Sequence, residues 1–353
     1  MKWQVLTEAV HIPPEWDVLA GSNILLSRAF LVHLERENPC RQSYNLCYAG
    51  ESLKGIYVDY RLKLDVFTYS FPGFKIPVRI LGIPCSVAKQ GYCVAAGWEQ
   101  ELIAHFHRKR GAKLILNSEQ RLPLRPGQTL PSCKLAVEWA SFRQYLQGLR
   151  SHYRYRINKA LQRRGDLQFK LKNPGSLDDS LYQYYEEVYA NSSYKLEKLS
   201  WNFFKGLPLP SVIIEAAVTG QKLGFVQLVR NDPELIFLFG GFNHSLNQHY
   251  DIYLNLLLEI IRYGIDNKFK VIELGQTAEE TKLKLGGQLC GKYMFIHHSN
   301  PVINSLAQPL LKLLSYQVPA YDYHVFRKGD KDEGTSCKNK TGEYFRPPEN
   351  GLF

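Results

Sequence analysis

A single carboxylate interrupts a short apolar segment in the last third of the sequence. The segment, FKVIEL at 269–274, has the aliphatic composition of a buried strand, except that Glu273 stands where a core residue is expected. Burying a carboxylate is costly unless it is paired, and burial raises its pKa toward the range of a general base. Glu273 is therefore a candidate base. The alternative is a structural carboxylate that bonds Arg262 or the basic turn before the strand.

The polar stretch NHSLNQHYD at 243–251 leads into a helix and offers two further groups. His249 could act as a base or donate a hydrogen bond to a carbonyl oxygen. Asp251 is suited to cap the N-terminus of the helix. The alternative for His249 is an ordinary solvent-exposed loop.

A strongly basic helix is predicted from 150 to 172. This stretch contains eight Lys and Arg residues and a single acid, Asp166. At 100° per residue, Arg156, Lys159 and Arg163 share one exposed side of it. Such a face could bind tRNA phosphates, a CoA phosphate or an acidic carrier protein. The alternative is a solvated face without a partner.

The elements that carry these residues echo each other in the two halves of the sequence. ELIAHFHRKRGAKLILNS and LLLEIIRYGIDNKFKVIELG both run from an apolar helix through a basic, Gly-containing turn into a short strand. Aligning AKLILN with FKVIEL puts Leu116 opposite Glu273, so packing alone does not require a carboxylate there. Duplication of one unit and a chance echo both remain open.

The order of predicted elements indicates an α+β protein with a mixed sheet. A long helix at 138–165 is followed by further helices, three strands at 211–242, a helix and the strand that contains Glu273. We expect an N-terminal domain at 1–137, a C-terminal catalytic domain at 138–327 and a disordered tail at 328–353. The apolar segment 302–318 is expected to pack against the core, because Lys312 is its only basic residue.

The composition indicates which class of partner and which cellular compartment to expect. A formal charge of +11 favours a polyanionic partner. Seven cysteines without a C-x-x-C pair indicate reduced thiols and a cytoplasmic protein. The sequence predicts neither a signal peptide nor a membrane-spanning segment, and its His and Cys residues lack zinc-ligand spacing, so no metal site is predicted.

Three stretches resemble the FemABX-like branch of the GNAT acyltransferase superfamily, over about residues 140–298. YRYRINKALQRRGDLQFKL is similar to the Arg-rich helix that opens the second domain of that branch. HYDIYLNLLLEIIRYGIDNKFKVIELG resembles its helix, basic turn and strand, and TAEETKLKLGGQ resembles the following loop. The resemblance implies tandem GNAT-like domains, each a mixed, mostly antiparallel sheet flanked by helices.

The same resemblance implies transfer of an activated acyl group to an amine. Glu273 would take the proton of the acceptor ammonium, and Tyr250 would protonate the leaving thiolate. Lys282, with Lys284 beside it, would contact the donor, and the pair Gly286 and Gly287 would let the backbone approach it closely. The alternative for the lysines is two solvated side chains.

One stretch departs from the family pattern. GNAT enzymes that use CoA usually place a Q/R-x-x-G-x-G/A turn before the long helix, where backbone N–H groups hold the pyrophosphate. Here the corresponding stretch is GGFNHSLNQHYDIY, in which Gly240 and Gly241 come too early and the Arg is missing.

Three functions are consistent with these features. The first is an N-acyltransferase without a tightly bound cofactor, which takes an acyl group, short or fatty, from acyl-CoA or an acyl carrier protein and gives it to a peptide side chain or small amine. The second is a peptide-bond-forming ligase that uses aminoacyl-tRNA, which the positive charge and the missing turn favour. The third is a non-catalytic protein that binds RNA or a peptide through the basic helix.

Overall fold

The computed structural model describes residues 1–85 and 88–327, so the predicted tail at 328–353 lies outside the described residues. Its centre is one mixed sheet of thirteen strands. The strands are β1 (Lys2–Leu6), β2 (Gln42–Ala49), β3 (Ser52–Asp65), β4 (Lys75–Leu81), β5 (Tyr92–Val94), β6 (Ala112–Ser118), β7 (Gly127–Ala136), β8 (Gln168–Lys172), β9 (Ser211–Val218), β10 (Gln221–Asn231), β11 (Glu234–Phe242), β12 (Val271–Glu273) and β13 (Gln288–His298).

Helices flank this sheet, which confirms the predicted α+β class. They are α1 (Glu15–Ala20), α2 (Arg28–Glu37), α3 (Glu99–Arg108), α4 (Phe142–Gly148), α5 (Ser151–Arg163), α6 (Tyr182–Asn191), α7 (Trp201–Lys205), α8 (His244–Tyr250), α9 (Ile252–Asp266), α10 (Glu279–Leu283), α11 (Pro301–Ala307) and α12 (Leu311–Leu314). The most apolar of the long helices, α9, is buried around much of its circumference, because Leu256, Leu257 and Ile260 are all buried.

The two halves of the chain exchange strands at the centre of the sheet. The strand order is β1-β2-β3-β4-β6-β13-β7-β12-β11-β10-β9-β8, with β5 attached to β3. The pairs β4/β6 and β11/β12 are parallel, and the other pairs are antiparallel. From the first half, β7 pairs with β12 and β13, whereas β13 of the second half pairs with β6. The domain boundary after residue 137 stays a prediction.

The strands that carry Leu116 and Glu273, β6 and β12, occupy equivalent positions in this sheet. β6 is parallel to β4 and antiparallel to β13, and β12 is parallel to β11 and antiparallel to β7. Ile115 of β6 and Ile272 of β12 each pair with apolar residues on both neighbouring strands. At the next position the first half has Leu116 and the second half has Glu273. The carboxylate therefore belongs to the second half alone.

The predicted long helix at 138–165 is wrong, because the chain breaks it into α4 and α5. At the break, the Arg150 N–H donates to the Val325 carbonyl at 2.9 Å, so a later segment takes a backbone group that a continuous helix would use. The basic helix also ends before 172, since residues 168–172 form β8.

The apolar segment 302–318 packs against the core only in part. It forms two short helices, α11 and α12, of which Leu311 is buried. Val302 and Leu306 on α11 are each 66% exposed, and Leu313 is exposed as well. The expectation of a core-packed helix is therefore wrong for α11.

A buried ionic network joins three strands and a helix end in the first half. Asp59 on β3 is fully buried, and its carboxylate pairs with Arg79 on β4 and with Lys109 after α3. Asn45 on β2 donates to Asp59 at 2.8 Å and accepts from the Lys109 ammonium at 2.8 Å. One carboxylate thus compensates two neighbouring cations in the interior.

We expect Asp59→Asn to lower the free energy of unfolding by about 3–5 kcal/mol, because it leaves two cations without their counter-ion. Urea denaturation followed by circular dichroism measures this change. Glu186→Gln is the control, since it removes the partner of Lys198 in a half-exposed pair, and its effect should stay below about 1 kcal/mol. Equal effects of the two substitutions would show that the network does not stabilise the fold.

Candidate functional site

A cavity of about 620 Å³ lies between the two halves of the chain. The β3–β4 loop, β6, β13 and α11 line one side, and α6, β11 and the segment after β12 line the other. Most of the lining side chains are apolar or aromatic, among them Phe67, Leu114, Tyr189, Phe237 and Ile296. A cavity of this size and lining can hold an extended apolar part of a ligand.

The second half contributes to the cavity where two parallel strands diverge. β11 and β12 are paired from Glu234–Val271 to Ile236–Glu273, and β11 then continues to Phe242 without β12 beside it. Residues 237–242 and 273–277 of the diverging chains both line the cavity. Glu273 is the last paired residue of β12 and therefore lies at the apex of the opening.

Glu273 presents one oxygen without a hydrogen-bond donor. Its side chain is 1% exposed to solvent and lines the cavity. Oε1 accepts the Gly275 N–H at 3.1 Å. Oε2 lies 3.5 Å from Lys134 Nζ, and within the described part of the chain no group donates a hydrogen bond to it. Such an oxygen can accept a proton or bind a substrate N–H.

The cation beside Glu273 comes from the exchanged strand β7. Lys134 is directly opposite Glu273 in the antiparallel pair, and its ammonium also bonds Glu234 at 2.7 Å. Burial lowers the pKa of Lys134, but the carboxylates of Glu273 and Glu234 outweigh this effect and hold the pKa above its usual value. Arg262, the partner expected if Glu273 were a structural carboxylate, instead pairs with Glu259 at 3.3 Å.

Lys282 on α10 brings a second cation to the cavity, as its predicted binding role requires. The side chain is 2% exposed, and its ammonium donates to the Gln276 carbonyl at 2.8 Å. Burial lowers the pKa of Lys282 to about 8, against the opposing effects of Cys133, Glu273 and Glu279. Lys282 is therefore a buried, weakened cation near the candidate base.

The other predicted cations lie outside the cavity lining. The Lys284 ammonium pairs with Glu280. Arg156, Lys159 and Arg163 are exposed on α5, on one basic face, which we call the α5 face. These residues can meet a partner on the surface, but they do not meet Glu273 in the cavity.

Packing accounts for both predicted glycines. Gly286 has a φ of +91°, and a Cβ there would come within 2.3 Å of the Phe326 ring. A Cβ at Gly287 would lie 2.4 Å from Cys133 Sγ. A side chain cannot be accommodated at either position without movement of these neighbours. Their predicted contact with an acyl donor stays a prediction.

A tyrosine that no sequence motif indicated lies in the cavity, three residues after the predicted acid. His249 and Tyr250 end α8 and lie outside the lining, and His249 is exposed. Tyr253, at the start of α9, lines the cavity and stacks on Phe242 at a centroid distance of 5.3 Å. Burial, with a smaller effect of Cys133, raises the pKa of Tyr253 above its usual range, so its hydroxyl stays protonated.

One N–H group at the N-terminus of α9 is already bonded within the chain. Asp251, with a φ of +48°, joins α8 directly to α9, and its side chain makes no capping hydrogen bond, so the predicted capping role is wrong. Instead, Asn247 Oδ1 accepts the Tyr253 N–H at 2.9 Å. One of the N–H groups that could hold a pyrophosphate is therefore already bonded, in agreement with the missing glycine-rich turn.

A second carboxylate without a donor lines the cavity near β3. Glu197, after α6, is 9% exposed, and neither oxygen accepts a hydrogen bond from another described residue. Burial raises the pKa of Glu197 to about 7. Burial, reinforced by the Glu197 charge, also raises the pKa of Tyr60. No local signal marks Glu197 in the sequence, because Lys195 and Lys198 flank it as in an exposed loop.

Residues 1–85 and 88–327 contain no group of three or more His, Cys, Asp or Glu side chains that could hold a metal ion. In the same ranges, every helix is too short or too polar to cross a membrane.

Glu197 should make stability depend on pH. Because its folded-state pKa is raised from about 4.5 to about 7, the folded state resists its ionisation and loses stability as pH rises through this window. Relative to Glu197→Gln, the wild-type free energy of unfolding should fall by about 3 kcal/mol between about pH 4.5 and about pH 8.

Urea denaturation of both proteins across this range measures that difference. Glu187→Gln, which removes an exposed carboxylate on α6, is the control and should not reproduce the trend. A wild-type protein that parallels Glu197→Gln at every pH would contradict the prediction.

No family model and no curated protein matches this sequence. Among solved structures, FemX is similar with a TM-score of 0.53 at 10% identity, over 87% of this chain and 100% of FemX. The C-terminal domain of a putative lysylphosphatidylglycerol synthetase from Agrobacterium fabrum has a TM-score of 0.47 at 11% identity, over 78% of this chain and 89% of that domain. A tandem GNAT protein from the clavulanic acid biosynthesis pathway has a TM-score of 0.46 at 10% identity, over 85% of this chain and 99% of its own. The chain has a FemX-like fold, in agreement with the FemABX-like fold that the sequence motifs predicted.

Proposed function

We propose that this protein is an N-acyltransferase that transfers an apolar acyl group from a thioester to an amine. The observation that carries the proposal is the largely apolar cavity of about 620 Å³ that has the unbonded Glu273 carboxylate oxygen in its wall. An apolar acyl chain would fill the cavity, and its carbonyl carbon would lie near the diverging strands β11 and β12. The FemABX-like fold supports a transferase of this kind.

Glu273 acts as the base in this proposal. An acceptor ammonium gives one proton to Glu273 Oε2, and the freed nitrogen lone pair attacks the acyl carbon. The C–N bond forms and the C–S bond breaks, with the electron pair leaving on sulfur. The Lys134 ammonium lies 3.5 Å from this oxygen and offsets part of the free-energy cost of burying a carboxylate before the proton is transferred.

Tyr253 is the proposed acid for the leaving group. Its raised pKa means that the hydroxyl is protonated before the reaction, and it can donate to sulfur because the cationic nitrogen of the intermediate replaces the proton. The tyrosine gives its proton to sulfur and regains one from the nitrogen as the amide forms. Lys282, buried nearby, would orient the donor by bonding its carbonyl or phosphate oxygens.

The donor is proposed to be a carrier thioester, with the carrier outside the cavity. The bonded N-terminus of α9 argues against the usual pyrophosphate contact of acetyl-CoA. The α5 face instead offers exposed cations to an acidic carrier protein or to the CoA phosphates. No tightly bound cofactor is needed for this chemistry.

A second candidate uses aminoacyl-tRNA as donor on the same fold. The exposed α5 face and the formal charge of +11 favour it. It requires an ester to break in place of a thioester, with the same base and acid. The largely apolar lining of the cavity favours the acyl thioester.

We expect Glu273→Gln to reduce the rate at least about 100-fold while the fold stays intact, because the amide cannot accept the ammonium proton. The assay offers acetyl, octanoyl and palmitoyl thioesters of CoA and of an acyl carrier protein, plus aminoacyl-tRNA, to a panel of primary amines, with products detected by mass spectrometry. Longer acyl thioesters should react fastest.

Glu51→Gln is the control, because it removes an exposed carboxylate from the β2–β3 turn and should keep the parental rate. Exclusive use of aminoacyl-tRNA would select the second candidate. An active Glu273→Gln variant, or no product from any donor, would overturn the enzymatic proposal and favour a binding protein.

Tyr253→Phe and Tyr250→Phe separate the two candidate acids. We expect the first to lose about 10- to 100-fold in kcat with a thiol leaving group, and the second to lose less. The loss should shrink for thioesters of more acidic thiols, since their thiolates need less protonation. A larger loss in Tyr250→Phe would return the role of acid to Tyr250.

A further inference from the structure

Two exposed apolar segments meet at the edge of the cavity. Phe71 and Phe74 lie on the β3–β4 loop and are 72% and 58% exposed. On the second segment, Val302, Ile303 and Leu306 of α11 and Leu310 after it are also exposed. We call these six residues the apolar rim. Phe74, Ile303 and Leu310 line the cavity as well, so the rim is continuous with the cavity wall.

One hydrogen bond joins the β3–β4 loop to the helix that follows α11. Ser70 Oγ on the loop donates to the Leu313 carbonyl on α12. The Asp65 carboxylate accepts the Phe67 N–H at 3.1 Å and also bonds the Gly73 N–H, which fixes the loop at its base. The Phe67 ring lines the cavity at a centroid distance of 6.3 Å from Phe74. The rim is thus a shaped surface rather than a set of scattered side chains.

The charged residues around the rim indicate which kind of surface can bind it. Residues 66–81 and 299–320, which contain the rim, have no Asp or Glu. Lys75 follows Phe74 directly, Lys312 follows Leu311, and both are exposed. Exposed Lys195 lies on the cavity lining. The nearby Asp65 carboxylate is already bonded by the Phe67 and Gly73 N–H groups. An apolar patch flanked by lysines complements a lipid interface that carries negative charge.

We propose that the apolar rim docks the protein on an anionic lipid bilayer, with the cavity mouth against the membrane. Phe71, Phe74 and Leu306 would enter the boundary between headgroups and acyl chains, while the lysines would meet anionic headgroups. An apolar chain could then pass between bilayer and cavity without crossing water. This docking is independent of which acyl donor the cavity uses, and it needs no helix that spans the membrane.

The test is co-sedimentation of the full chain with phosphatidylcholine vesicles, with and without phosphatidylglycerol. Wild-type protein should bind the anionic vesicles, and added salt should weaken the binding. Phe71→Ser/Phe74→Ser/Leu306→Ser should reduce the binding at least about tenfold. Val10→Ser/Val18→Ser/Leu171→Ser is the matched control, because it replaces three exposed apolar residues elsewhere and should bind like wild type.

Phe74→Trp gives a second measurement that does not depend on loss of binding. Its emission should shift to shorter wavelength on anionic vesicles and be quenched by brominated lipids, because the ring enters the acyl boundary.

Equal binding of the two triple variants, or no binding of wild type to anionic vesicles, would overturn the proposal. If the rim triple variant instead converts a dimer into a monomer in sedimentation velocity, and vesicles do not bind, the rim is an interface between copies of this chain. Vesicle binding that appears only after residues 328–353 are removed would mean that this segment covers the rim, and that outcome also overturns the proposal for the full chain.

Discussion

The antiparallel pairing of β7 with β13 joins the two halves of the chain, and the site depends on it. Each half provides a parallel pair, β4/β6 or β11/β12, and the exchanged strands fill the space between these pairs. The exchange puts Lys134 of the first half opposite Glu273 of the second. It also fixes the separation of the halves and hence the cavity between them. A carboxylate in an apolar strand is tolerable here because a strand from elsewhere in the chain supplies its counter-ion.

The cavity combines an apolar lining with two carboxylates that lack donors among the described residues, at one oxygen of Glu273 and at both oxygens of Glu197. Such groups are expensive in a protein interior, because their desolvation is not repaid by hydrogen bonds. Glu273 keeps partial compensation from Lys134 and the Gly275 N–H, whereas Glu197 responds by a raised pKa. This arrangement is typical of a binding site that is completed by a ligand. The folded protein is less stable than it would be with an all-apolar cavity wall. The carboxylate oxygens without donors are in turn available to bind a substrate or accept a proton.

Two surfaces of different character lie away from the buried carboxylates. The α5 face is basic and polar, whereas the apolar rim is acid-free and continuous with the cavity. This separation fits a reaction in which the carrier of an acyl group stays in water while the acyl chain enters an apolar space. The proposed acid, Tyr253, and the buried Lys282 both line the cavity.

Local pattern in the sequence determined the class of fold, the three strands at 211–242 and the α9 helix, and it marked Glu273 as a carboxylate in an apolar strand, because periodicity and an out-of-place carboxylate are local signals. The motifs also identified the FemABX-like fold. Only the tertiary structure decided which strands are exchanged, that Lys134 faces Glu273, that Tyr253 rather than Tyr250 lines the cavity, and that Glu197 is buried. These features depend on contacts between residues far apart in the chain, and the spacing of neighbouring residues carries no record of such contacts. The break between α4 and α5 has the same origin, because its hydrogen-bond partner at Val325 lies 175 residues beyond Arg150.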